Sequence, residues 1–320
     1  MLLDIVYLVA GLAILFVGGE LTLRGAVGLA RFLGVSAAII GLTVVGFGTS
    51  APELVVTVQA ALANKNGLAI GNVVGSNISN LLLILGVGAV IAPLTCGIDA
   101  AKRDAGMMLA ATVVLVLLSV YGEIGWYHGI FMVGALVIYL ALTYLQDKRD
   151  RASRNLHEQE AEELENAPTK LPVIIVFTLL GLVGLVLGAD LMVTGAIGIA
   201  QDFGVPETVI GLTVVALGTS LPELAATAVA AMRNHTDVAI ANVMGSCVFN
   251  ILSILGITSI ISLLTFEPDI QAIDIWVMLA ATLVIASLML FRAGISRISG
   301  AVLLVGYVAY IVSLAPRAGI

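Results

Sequence analysis

Two phrases in this sequence hold residue types that could do chemistry: GLTVVGFGTSAPEL at 41–54 and GLTVVALGTSLPEL at 211–224. In each, a glutamate (Glu53 or Glu223) follows a proline inside an apolar stretch, and the two copies lie 170 residues apart. Thr49 and Glu53 are four apart and share a helix face, as do Thr219 and Glu223, with Ser50 and Ser220 one step round. Pro52 has no N–H, so the Gly48 carbonyl loses its helical partner, and Pro222 does the same to Gly218. Gly46 and Gly48 loosen the turn further. The expectation is a broken helix offering a carboxylate, hydroxyls and freed carbonyls together.

GSNISN at 75–80 and GSCVFN at 245–250 keep the offset of 170 and add Ser76 with Asn80 and Ser246 with Asn250. Oxygen donors without imidazole or thiolate suit hard ions such as Ca2+ or Na+ over zinc or copper. Two carboxylates neutralise one Ca2+ or two Na+, so both ions would compete for the same oxygens, the physical requirement for exchange. The Ser, Thr and Asn alone would serve as polar glue between helices. The acids are harder to explain that way: a charge at bilayer depth costs at least about 2.5–3.5 kcal/mol on the insertion scale, and no Lys or Arg stands close by to pair with it.

Bilayer depth follows from composition. The 320 residues are 60% hydrophobic and 11% charged, with mean hydropathy +1.12, against about 25% charged in soluble domains. Ten segments are long and apolar enough to span: 3–23, 36–62, 68–92, 104–121, 124–145, 172–192, 206–231, 238–264, 274–291 and 298–315. With the N-terminus outside, Arg24, Arg31, Lys102, Arg103, Lys148, Arg149, Arg151, Arg154, Lys170, Arg233, Arg292 and Arg297 fall inside, and Lys65 and Arg317 outside. That asymmetry places both termini outside and the charged stretch 147–171 in the cytoplasm. No cleavable signal peptide and no basic, aromatic-interleaved patch for nucleic acid is read. Cys96 and Cys247 form no CxxC, and the three histidines lack metal spacing.

The duplication is wider than the acidic phrases. Residues 11–35 align with 181–205, and 71–87 with 241–257, at the same offset without a gap. Five spans per half is an odd number, so the second half must cross in the opposite sense. The predicted architecture is all-α and integral to the membrane: ten helices in two inverted five-helix repeats, 1–146 and 172–320, broken at spans two and seven. In such repeats the site sits at the midplane, where the halves meet.

GTSAPEL with GSNISN, and GTSLPEL with GSCVFN, resemble the two alpha-repeats of the calcium/cation antiporter superfamily, nearest to its prokaryotic sodium/calcium exchanger branch. The resemblance covers the whole chain. It implies a secondary antiporter and not an enzyme, exchanging Na+ for Ca2+ across a prokaryotic cytoplasmic membrane by movement of spans one and six. It carries the ion ligands onto Thr49, Ser50, Glu53, Ser76, Asn80, Thr219, Ser220, Glu223, Ser246 and Asn250, with main-chain oxygens at Gly46 and Ala216. No cofactor is expected beyond the transported ions, and no obligatory protein partner. Asn250 stands where potassium-dependent members carry Asp, so no potassium requirement is implied. The proton-exchanging branch carries Glu in the span-three and span-eight motifs, where this chain has Ser and Asn.

Lesser features read two ways. The glycines of spans one and six would give smooth sliding faces or ordinary tight packing. Glu20 and Asp190 would edge an ion path or simply be solvated. The acids Glu123, Asp202, Glu207, Glu267, Asp269 and Asp274 would draw cations to the outer mouth or be loop charge. Asn77-Ile-Ser and Asn234-His-Thr match the glycosylation pattern by chance, one within a span and one on the inner side. The rivals to exchange are a proton-coupled antiporter, a channel, and an intramembrane enzyme with paired acids, which would need a nucleophile or activated water beside them.

Overall fold

A computed structural model describes residues 2–153, 168–203, 218–268, 270–292 and 294–314, and these are helical apart from loops and four two-residue strands. In order come α1 (Leu2–Leu33), α2 (Ala37–Thr49), α3 (Ala51–Leu62), α4 (Asn66–Ile91), α5 (Ile98–Tyr121) and α6 (Trp126–Ser153). They are followed by α7 (Leu171–Asp202), α8 (Leu221–Met232), α9 (Thr236–Ile261), α10 (Ile270–Arg292) and α11 (Arg297–Leu314). Helices are what such a chain must form, because lipid offers backbone N–H and C=O groups no partner. Among the described residues eight helices are long and apolar enough to cross a membrane, or nine if the bent pair α2–α3 is one span. The first part of the expected seventh span, 206–217, lies outside the described residues, as does most of the charged stretch. α6 continues seven residues past 146, so that stretch begins as helix.

The two helices bearing the Ser–Asn motifs form the centre. The apolar window of α9 is 100% buried and that of α4 72%, against 17% for α11. A π-helical turn interrupts each, at Ser79–Ile84 and Asn250–Leu255. The pattern of apolar residues did not signal these turns, which are frequent at functional sites.

α1 and α7 run antiparallel along a glycine seam. Gly11, Gly18 and Gly25 recur every seven residues, as do Gly181, Gly188 and Gly195. A Cβ on Gly18 would lie 2.8 Å from Leu185 N and 3.0 Å from Gly181 O. These glycines therefore bind the two helices to each other, and the reading of them as smooth sliding faces gives way to tight backbone packing.

Short contacts between helix ends sort the loops into two groups. In one, strand β1 (Leu94–Thr95) pairs with β4 (Gly294–Ile295), Ser36 N donates to Asp147 Oδ2 at 2.8 Å, and Arg233 Nε pairs with Glu20 Oε2 at 2.9 Å. In the other, β2 (Glu123–Ile124) pairs with β3 (Leu264–Thr265), and Asn66 Nδ2 donates to Thr265 Oγ1 at 2.9 Å. Glu20, held also by Arg24 at 2.7 Å, is thus an ion-paired strut between α1 and the end of α8; neither solvation nor a free path edge describes it. Two of the acids expected at the outer mouth also tie elements together: Tyr310 OH donates to Asp274 Oδ1 at 3.2 Å, and the Glu267 carboxylate packs on Gly67.

Local geometry repeats at the offset of 170. Ser50 (φ −85, ψ 4) and Ser220 (φ −89, ψ 0) break their helices alike. Asn64 and Asn234 both take the left-handed conformation, at φ 57 and 60. Asn72 Nδ2 donates to Thr57 Oγ1 at 2.9 Å, and Asn242 Nδ2 to Thr227 Oγ1 at 3.0 Å. Thr112 and Thr282, also 170 apart, face each other with their hydroxyls 3.3 Å apart.

Candidate ion-binding site

The site starts from a proline. Pro52 and Pro222 stand in the first turns of α3 and α8, where a missing N–H costs nothing. The helix before Pro52 cannot pass through it unbroken, so α2 ends at Thr49 and α3 leaves at 42°. Glu53 and Glu223 then fall in the first turn of a new helix, where the peptide dipoles favour negative charge. The expected break of span two is present. For span seven the described part shows the same Ser220 geometry and a helix starting at Leu221.

The two carboxylates are buried, 1% and 0% exposed. Glu223 Oε1 accepts a hydrogen bond from Ser50 Oγ at 3.0 Å, joining the two halves. Glu53 Oε2 and Glu223 Oε2 have no hydrogen-bond partner, and no ion pair found among the described residues involves either. Other buried polar atoms are in the same condition: both amide atoms of Asn80 and of Asn250, on the π turns that pack against α8 and α3, and Thr219 Oγ1 and Ser220 Oγ just before α8. Buried polar groups in proteins are nearly always bonded, and each exception asks for an explanation such as an ion or water.

The Gly46 carbonyl is where several of these groups converge. It accepts from Ser50 N at 3.2 Å, from Thr49 Oγ1 at 3.3 Å and, across the halves, from Ser246 Oγ at 3.4 Å. Thr49 Oγ1 also reaches Val45 O at 3.1 Å. Ser76 is buried, 5% exposed. Ala216 lies outside the described residues. Among the described residues no cluster of three or more His, Cys, Asp or Glu occurs, so the donors gathered here are two carboxylates amid hydroxyls, amides and carbonyls. That set can bind a hard cation and neutralise two positive charges.

Sequence reading missed the shell behind these residues. Asn72 Nδ2 bonds the Glu53 carbonyl at 3.3 Å as well as Thr57, so α4 braces the turn that carries the carboxylate. Asn242 and Thr227 are the matching brace in the second half. The signal was present, since an asparagine and a threonine recur 170 residues apart inside apolar helices. Asn77, set aside as a chance glycosylation match, is 1% exposed with neither amide atom partnered.

Comparison with known proteins covers nearly the whole chain. The family described as sodium/calcium exchanger protein matches residues 3–145 and 173–315. The sodium/calcium exchanger MaX1 of Methanosarcina acetivorans is 33% identical, over 96% of this chain and 97% of its own. The inner membrane protein YrbG of Escherichia coli K12 is 33% identical, over 90% of this chain and 89% of its own. A solved structure of the sodium-calcium exchanger NCX_Mj, soaked with 2.5 mM Na+ and 0.1 mM Ca2+, has TM-score 0.84 at 30% identity and covers 98% of this chain and 99% of that one. With two family segments spanning nearly all of the chain, this multi-pass membrane protein belongs to the sodium/calcium exchanger protein family, whose members are antiporters and not enzymes.

Proposed function

We propose that this protein exchanges Na+ for Ca2+ across the cytoplasmic membrane of a prokaryote, with Na+ influx driving Ca2+ out. The observation that carries the reading is the pair of buried carboxylates whose Oε2 atoms have no protein partner, set among unpartnered amides and hydroxyls. Ca2+ and Na+ would be held by Glu53 and Glu223, by Thr49, Ser50, Thr219 and Ser220, by Ser76, Asn80, Ser246 and Asn250, and by the carbonyls of Gly46 and Ala216. The names of MaX1 and NCX_Mj point to the same two ions.

The architecture that goes with this function is ten spans in two inverted repeats, 1–146 and 172–320, joined by the cytoplasmic stretch 147–171, with both termini outside. Three observations support it. The family segments begin at 3 and 173 and end at 145 and 315, each pair offset by 170. The local geometries recur at that offset. The loop contacts join only positions that ten crossings put on one side: 36 with 147, 20 with 233 and 94 with 295 inside, and 123 with 265 outside. Alternating access would move α1 and α7 as one body, since their seam is backbone against backbone.

The test is calcium-45 uptake into Na+-loaded proteoliposomes diluted into Na+-free buffer, comparing wild type with Glu53→Gln and a K+-loaded control. Sodium-driven uptake lost in the variant is the expected result. Equal uptake with and without the sodium gradient would remove Na+ as the counter-ion and bring forward proton coupling.

A further inference from the structure

We propose that the cleft between the α1–α7 pair and α8 binds one acyl chain of a bilayer phospholipid. The cleft has a volume of about 290 Å3 and is lined by apolar side chains alone, among them Leu12 and Phe16 of α1, Met192 of α7, and Leu224, Ala228 and Met232 of α8. An apolar cavity of ~150 Å3 already stays dry and takes up benzene, and this one is nearly twice as large. It follows α8 from Leu221 to Met232, roughly 16 Å at the helical rise, a length suited to a chain more than to a compact molecule.

Its mouth faces outward. Leu12, Phe16 and Met232 are 59%, 50% and 48% exposed, and around membrane-spanning helices that surface meets hydrocarbon. At the Met232 end stands Arg233, whose side chain remains 47% exposed although its Nε pairs with Glu20. The guanidinium has further donors in its fork and sits where the phosphate of a lipid threading the cleft would lie. A chain with an anionic head therefore fits better than a neutral hydrocarbon.

The duplication shows why the cleft exists on this side. Ala225 and Ala228 line it, and the positions 170 earlier are Val55 and Val58. The second half carries the smaller residue at both places, leaving space beside the helix that bears Glu223. An occupant would press on the back of that helix and on α1 and α7 at once. The inference needs the membrane and the cleft, and stands apart from the identity of the exchanged ions.

The experiment uses the full chain in phosphatidylethanolamine–phosphatidylglycerol vesicles containing a trace of phosphatidylglycerol with a diazirine in its acyl chain. After irradiation, labelled peptides are mapped by mass spectrometry. Labelling of 12–16 and 224–232 should exceed that of α11, whose Ile298 and Val305 are 80% and 70% exposed. In the variant A225V/A228V, which installs the side chains the first half already carries, labelling of the cleft should fall roughly fivefold or more, because admitting a chain would then overpack the space. Labelling of α11 should not change. Cleft labelling no higher than that of α11, or equal in the variant, would overturn the proposal. If the variant does not fold, the wild-type distribution decides alone, since labelling spread evenly over the lipid-facing helices refutes it.

Discussion

Glu53→Gln should abolish the rise in melting temperature that Ca2+ gives the wild type. A ligand present at a hundred times its dissociation constant stabilises by about 2.7 kcal/mol. With an unfolding entropy of about 2.1 cal/mol/K per residue, that is a rise of about 4 °C for 320 residues. Glu53 contributes one of two carboxylates, and no basic side chain shares its charge among the ion pairs found in the described residues. A unit charge pair at 4 Å is worth about 4 kcal/mol at an effective dielectric of ~20. The double charge of Ca2+ raises that figure, while desolvation and the retained carbonyl of Gln lower it. Taking about 4 kcal/mol as the net loss, affinity falls roughly a thousandfold. The same Ca2+ concentration then stands near a tenth of the new dissociation constant and stabilises by only ~0.06 kcal/mol. The assay is a fluorescence melt in detergent, with free Ca2+ buffered against a chelator. A rise of about 4 °C in the variant at the same free Ca2+ would refute the placement of Glu53 in the ion site.

Asn72→Ala removes the bonds to Thr57 Oγ1 and the Glu53 carbonyl, leaving buried groups unsatisfied; it should cost about 1–3 kcal/mol and reduce the calcium response, both read from the same melts. Gly18→Ala drives a Cβ against the Leu185 and Gly181 backbone and should cost about 1–3 kcal/mol by overpacking. Gly106→Ala, with nothing within 4 Å of the new Cβ, should instead gain up to ~1 kcal/mol in helix propensity; equal effects at the two glycines would undo the seam argument. Cys96, in the loop before α5, has its thiol pushed up to about 12 by burial and by the carboxylates of Asp104 and Asp237. Its thiolate fraction at pH 8 is about a thousandfold below that of an ordinary thiol, so maleimide should label it slowly, and faster with each step in pH above 8.

How far the sequence could be read depends on what each feature needs. The break at Ser50 was legible because proline acts locally: a missing N–H breaks a helix whatever surrounds it. The glutamates were legible because charge in hydrocarbon demands a reason, and the repeat supplied the second copy. The π turns at Ser79 and Asn250 were not, because a π turn adds a residue to the backbone without changing which side chains are apolar. The role of the glycines was not either. Their seven-residue spacing marks one face of a helix but does not say whether that face meets a mobile neighbour or a fixed one. Glu20 looked like an end-of-span acid because its partner Arg233 is 213 residues away, and pairing at that distance is a property of the fold.

The duplicated frame and the changes within it divide along a physical line. Backbone features at the site are kept in both halves: the Ser50 and Ser220 dihedrals agree within about 5°, and the Asn–Thr braces agree within 0.1 Å. In the proposed site both carboxylates would reach one cation from opposite sides, so an error in either half-site would break the shared coordination. Away from the site that demand lapses. Tyr139 bonds Asp104 at 2.8 Å with Arg103 alongside, and the equivalent bond from Tyr310 to Asp274 has Ile273 where the arginine would stand. Val55 and Val58 become Ala225 and Ala228, which line the apolar cleft. The two ends of the molecule meet different aqueous phases and its two flanks pack differently, so these are the places where the halves can diverge without disturbing the proposed site. A swap that makes the halves alike at 55/225 and 58/228 should leave calcium stabilisation within about 1 °C of wild type, whereas unlike residues at 53/223 should remove it. Melts of A225V/A228V and of Glu223→Gln, side by side, decide whether the line has been drawn in the right place.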